Sequence, residues 1–125
     1  MQMRICLVFA CVILTAHAEI ITEMIQYKDG DTVLEGVIAY DDASTTKRPG
    51  VVVVHEWWGL NDHSKNSAKK LAELGYVGFA ADMYGKGVTT DDPAEAGKMS
   101  GALKGDRAAL RKRAKAALDT LSAFK

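Results

Sequence analysis

The sequence predicts an α/β fold: the amino-terminal portion of a doubly wound, mainly parallel sheet, preceded by an antiparallel β-hairpin. Three observations carry this. Asp29-Gly30 separates two apolar-rich runs, a strong hairpin signal. Val51-Val52-Val53-Val54 is a continuous β-branched run, as expected of a strand buried on both faces of such a sheet. An amphipathic segment then leads to a second short apolar run, which makes a βαβ unit with parallel strands and a right-handed crossover.

At the amino end, Arg4 precedes the apolar or near-apolar run Ile5 to Ala16, and Ala16-His17-Ala18 follows as a small-x-small cleavage site. This is the pattern of a secretory signal peptide. The run is well short of the roughly 20 residues that span a bilayer. Cleavage after Ala18 removes both cysteines, Cys6 and Cys11, and leaves residues 19–125 without a thiol. The expectation is therefore a secreted or periplasmic protein with no membrane attachment after cleavage. The 125 residues permit one domain.

Ile20 to Tyr27 and Thr32 to Tyr40 are the two hairpin strands, and Asp41 to Gly50 is a polar surface loop. Val51 to His55 is the buried strand. A helix follows from about His63 to Leu74, capped by Asn61 or Asp62 and stopped by Gly75. Tyr76 to Ala81 is the next strand, and Asp82 to Gly87 is the loop that leaves it. Asp92-Pro93-Ala94-Glu95 opens a further helix, with aspartate as cap, proline in the first turn and glutamate placed to reach back to the cap N–H. Asp106 caps a last helix to about Phe124. Leu110, Ala114, Ala117, Leu118 and Leu121 give it one apolar stripe. Such a helix should cross a sheet and deliver another strand, and the chain ends at Lys125 where that strand is due. Residues 19–125 are thus expected to be the front part of a larger domain.

Charge is balanced, with 16 basic and 16 acidic residues, so nothing suggests a nucleic-acid partner. The cluster Arg107, Arg111, Lys112, Arg113 and Lys115 reads as the solvated face of a helix. The sequence sets no oligomeric state.

Candidate chemistry gathers after the valine strand, because ligands of open α/β sheets bind at the carboxyl ends of strands. Glu56, beside Trp57 and Trp58, is expected to be partly desolvated, which would raise its pKa toward neutrality. The alternative is a strand-end glutamate that caps or pairs with a local cation. The Trp57 N–H leaves a strand end, where an oxyanion donor sits in α/β hydrolases; otherwise the two tryptophans only cover the sheet edge. Asp82 and Tyr84 are pocket candidates by position, or a turn aspartate and a packing tyrosine. His55 reads as a strand-end histidine with a hydrogen-bonded ring, and His63 as a solvated first-turn residue. Together with Glu56 they fit no metal spacing. Lys86, between two glycines, lacks the phosphate-loop frame. No Gly-x-Ser-x-Gly or Gly-x-Cys-x-Gly elbow exists, and no histidine follows His63, so no triad can be assembled from these residues.

Gly50-Val-Val-Val-Val-His-Glu-Trp-Trp-Gly-Leu-Asn61 resembles the dienelactone hydrolase family of α/β hydrolases, as do Ala72 to Gly87 and the Asp92-Pro93-Ala94-Glu95 helix. The likeness covers about residues 20–125 and points to the secreted branch. It implies hydrolysis of a small-molecule ester or lactone through a cysteine acyl-enzyme, with a Cys–Asp–His triad and no cofactor. It also implies that Glu56 interacts with the cysteine and that the Trp57 N–H contributes to the oxyanion hole. Trp58 and Tyr84 are then candidate substrate contacts. Lys98 is the only cation in the stretch where some members hold a substrate carboxylate. The cysteine elbow, aspartate and histidine would all fall beyond Lys125, so the chain as given lacks the nucleophile. A rival expectation is a catalytically inactive secreted binding or interaction module built from a half-domain.

Overall fold

The computed structural model describes residues 19–124; the run read as a signal peptide, with Cys6 and Cys11, lies outside them. In chain order the elements are β1 (Ile20–Asp29), β2 (Thr32–Asp41), β3 (Gly50–Val54), α1 (Asp62–Glu73), β4 (Val77–Ala81), α2 (Pro93–Gly105) and α3 (Arg107–Ala123). The strands form one sheet in the order β1-β2-β4-β3. The β1–β2 hairpin is paired without a break from Ile20–Asp41 to Asp29–Thr32. It turns at Gly30, whose φ of +58° is the left-handed conformation that glycine adopts freely.

The hairpin docks through β2, antiparallel to β4, while β3 and β4 pair in parallel around the α1 crossover. Among the described strands, then, parallel pairing is confined to β3 and β4, and the sheet is mixed.

Alternation along β2 and β4 splits the core into two layers, because successive strand residues face opposite sides. Leu34, Ile38, Phe79 and Ala81 pack with Ala117 and Leu121 of α3. Val37, Ala39 and Ala80 pack with Ala68 and Ala72 of α1. Full burial of a side chain such as Phe79 or Leu34 contributes about 1.5–3 kcal/mol. The small residues on the α1 side let the helix lie close. A Cβ at Gly78 would sit 2.3 Å from the Ala68 carbonyl oxygen.

The helix ends follow the sequence with one exception. Asn61 caps α1, its side chain accepting the Ser64 N–H. At the other end Gly75 N–H reaches Ala72 O and Tyr76 N–H reaches Leu71 O, the paired bonds of a Schellman stop. Asp92 caps α2 by accepting the Ala94 N–H. Glu95 does not reach back to it. The Asp92 N–H is taken by Thr90 Oγ1 at 3.1 Å, and Glu95 pairs with Lys98 instead.

Three expectations are corrected. The valine strand has neighbours on both faces, Val52 packing on the α3 side and Val53 on the α1 side, but it is only partly buried: β3 is an edge strand among the described residues, and Val54 is 56% exposed. The α3 stripe is rotated, so that Ala117 and Leu121 are buried while Leu118 is 55% exposed. Arg113 does not belong to a solvated face. Its Nε donates to Asp29 Oδ2 at 2.9 Å and a terminal nitrogen donates to Met83 O at 2.7 Å, which ties α3 to the hairpin turn and to the loop after β4. A helix stripe defined by hydrophobicity alone misses this contact, because arginine packs its stem while bonding through its head.

Candidate active site

The carboxyl ends of the parallel pair β3 and β4 lie side by side, and the loops that leave them are laced together. Val54 and Ala81 are register partners at the last rung. Beyond it, His55 is buried with both ring nitrogens engaged. Its Nε2 lies 3.1 Å from the Met83 backbone N–H, and its Nδ1 lies 2.6 Å from the Glu56 carbonyl oxygen. A backbone N–H can only donate, so Nε2 accepts and the proton sits on Nδ1. The neutral Nδ1–H tautomer is thereby fixed. The strand-end histidine with a hydrogen-bonded ring is what the sequence led us to expect.

Further along, the Tyr84 hydroxyl donates to Trp57 O at 3.0 Å, and the Tyr84 ring meets His55 edge-on at 4.7 Å. Thr90 N–H donates to Trp58 O at 3.0 Å, and Gly59 forms an antiparallel bridge with Thr89. Gly59 is required there. Its φ is +91°, and a Cβ would come within 2.5 Å of the Val88 carbonyl oxygen. Gly59 N–H also donates to Glu56 O at 3.3 Å. Burial pushes the Tyr84 hydroxyl above the usual phenol range, so it remains a donor at neutral pH.

Below the loops lies a second buried hub. Asp82, 2% exposed, accepts the N–H groups of Tyr84 and Gly85 through Oδ1 and of Glu35 through Oδ2. These backbone bonds are those of a turn aspartate, and Asp82 also lines a small hollow with Glu35 and Lys65. Tyr84 lines an open hollow of about 330 Å³ with Met83, Met99, Leu103 and Arg113.

The structure brings Glu56, Trp57, Trp58 and Tyr84 together at this edge. Trp57 and Trp58 pack edge-to-face at 4.9 Å. The Trp57 N–H meets no acceptor among the described residues, whereas the carbonyls of Glu56, Trp57 and Trp58 all accept bonds. Glu56 is exposed, so the burial expected beside the tryptophans is not supplied by the described residues. The two tryptophan rings pack on each other, and Trp57 is itself 41% exposed. His63 is exposed on the first turn of α1, and Lys98 is exposed on α2 with Glu95 beside it. Lys86 pairs with Glu35 at 3.2 Å. Among the described residues no three His, Cys, Asp or Glu side chains converge as a metal site. Sequence reasoning missed Thr89 and Thr90, the partners that hold the tryptophan loop down. Nothing in their local pattern marks a one-residue bridge.

The dienelactone hydrolase family model matches residues 34–125. The solved structure of m3DLH superposes with a TM-score of 0.81 at 45% identity, over 84% of this chain and 44% of that one. The dienelactone hydrolase-like promiscuous phosphotriesterase P91, from metagenomic libraries, gives 0.79 at 42% identity over 83% of this chain and 43% of that one. A protein of Aquifex aeolicus, named provisionally as a carboxymethylenebutenolidase, is 38% identical over 80 residues, covering 62% of this chain and 33% of its own. The chain thus spans about a third of the length of that relative and under half that of the two solved structures.

Proposed function

The chain belongs to the dienelactone hydrolase family, and on that premise we propose that its loop after β3 is the accessory part of a site that hydrolyses small-molecule esters or lactones. One observation carries this reading. Among the described residues the Trp57 N–H has no acceptor; it stands at the carboxyl end of a parallel strand, on a loop whose neighbouring carbonyls are all held by bonds. A fixed donor with no ground-state partner is what acyl transfer needs, since negative charge appears on the carbonyl oxygen only as the nucleophile adds.

In this reading the nucleophile is the family's cysteine, with aspartate and histidine completing the triad; none of the three lies in this chain. Glu56 stands beside the donor and helps control the ionisation of that cysteine. The exposed carboxylate becomes partly desolvated when the elements carrying the nucleophile cover it. Trp58 and Tyr84 contribute an apolar wall for the substrate. The amino-terminal run of residues 1–18 directs export and is removed after Ala18, which amino-terminal sequencing of the secreted protein checks.

The test is turnover of p-nitrophenyl acetate by the full-length protein as its source encodes it. Wild type should hydrolyse the ester, and Glu56→Gln should lower kcat/KM by about 10²-fold, the lower end of the ~10²–10⁴-fold that a positioned acid–base group contributes. Residues 19–125 alone should stay at the background rate. Absence of turnover in the full-length protein, or robust turnover by residues 19–125 alone that is lost in Glu56→Ala, would sink the proposal.

A further inference from the structure

The Glu56 carbonyl and the Trp57 N–H are two ends of one peptide group. We infer that His55 is a positioning residue which aims and polarises the Trp57 N–H through that group; this rests on the reading of the loop as an oxyanion site. The chain of bonds is short. Met83 N–H donates to His55 Nε2 at 3.1 Å, which leaves the ring proton on Nδ1. Nδ1–H donates to Glu56 O at 2.6 Å, and Gly59 N–H adds a second, longer bond to the same oxygen at 3.3 Å. A carbonyl that accepts hydrogen bonds draws electron density from its own nitrogen, so the N–H at the far end becomes a stronger donor. Two bonds on one oxygen also fix the plane of the peptide, and with it the direction of the N–H.

The surroundings make the arrangement rigid. His55 is buried, and the Tyr84 ring packs edge-on against it while the Tyr84 hydroxyl holds the following carbonyl, that of Trp57. The ring therefore has one tautomer and one orientation, and the loop after β4 sets both. The strength of the donor on the β3 loop is in this way governed from the β4 loop.

Two substitutions separate positioning from mere support. In His55→Asn the side-chain amide nitrogen falls where Nδ1 was and keeps the bond to Glu56 O, while the acceptor for Met83 is lost. In His55→Gln the amide oxygen can take the place of Nε2 and keep the Met83 bond, while the donor to Glu56 is lost. Each variant retains one of the two bonds. Steady-state hydrolysis of p-nitrophenyl acetate by the full-length protein is measured together with the amide proton shift of Trp57 in the free protein. The expected order of kcat is wild type, then His55→Asn, then His55→Gln, with His55→Gln down about 10-fold and KM little changed, a fraction of the ~10²–10³ lost when a whole donor is removed. The Trp57 amide proton should move upfield in His55→Gln and stay near its wild-type position in His55→Asn. If His55→Gln is as active as His55→Asn or more so, the histidine only supports the loop and the inference is overturned, while the reading of the site stands. If wild type itself shows no turnover, the site reading fails and takes the inference with it.

Discussion

The Tyr27 hydroxyl and the Asp82 backbone are bonded in both directions: the hydroxyl donates to Asp82 O and accepts from Asp82 N–H, each at 3.0 Å, across 55 positions of sequence. This pair joins the outer hairpin strand β1 to the root of the loop that leaves β4. Tyr27→Phe strips both bonds and leaves a buried N–H and C=O without partners. The expected loss is about 1–3 kcal/mol at pH 7, read from urea unfolding.

The same tyrosine sets an alkaline limit. Burial pushes its pKa from 10.0 up to about 12. The folded state therefore favours the neutral phenol. Stability from this source is complete below pH 10, where the unfolded chain also keeps the proton, and is lost as pH rises through the folded value near 12. Between these limits the stability gap between wild type and Tyr27→Phe should narrow with rising pH. A gap that is constant from neutral pH to pH 12 would contradict the assignment.

Asp82→Ala should be among the most damaging single changes in the chain. It would orphan the backbone N–H groups of Glu35, Tyr84 and Gly85 at a site that is 2% exposed. A loss of at least about 3 kcal/mol is expected. Hydrogen exchange at Tyr84 and Gly85 should accelerate with it, because the loop after β4 loses its anchor.

Gly78→Ala tests the close approach of α1 to β4. The new methyl would meet backbone of Ala68, not a side chain that can swing away. Helix and strand must part, at about 1–3 kcal/mol or more. A neutral substitution would show that α1 does not pack as described.

Much of this was legible in the sequence. The Asp29-Gly30 turn, the Asn61 and Asp92 caps and the Gly75 stop each use local chemistry that a few residues determine. Long-range partners were not legible. The valine run announces a buried strand, yet Val54 stands at an edge because no neighbour lies beyond β3 among the described residues. Arg113 looked solvated because helical periodicity sees only its charge, while its partners, Asp29 and Met83, lie on other elements. Glu56, Trp57, Trp58 and Tyr84 could be placed at strand ends from pattern alone. The lacing of their loops through His55, Thr89 and Thr90 depends on how β3 and β4 align, which no local pattern encodes.

The central claim is that the Trp57 N–H receives the developing oxyanion. Its most direct test is the amide proton of Trp57 in isotope-labelled full-length protein, before and after trapping with a trifluoromethyl ketone that forms a tetrahedral adduct. A clear downfield shift of this proton on adduct formation is the predicted result. An adduct that forms and leaves the Trp57 signal where it was would contradict the account.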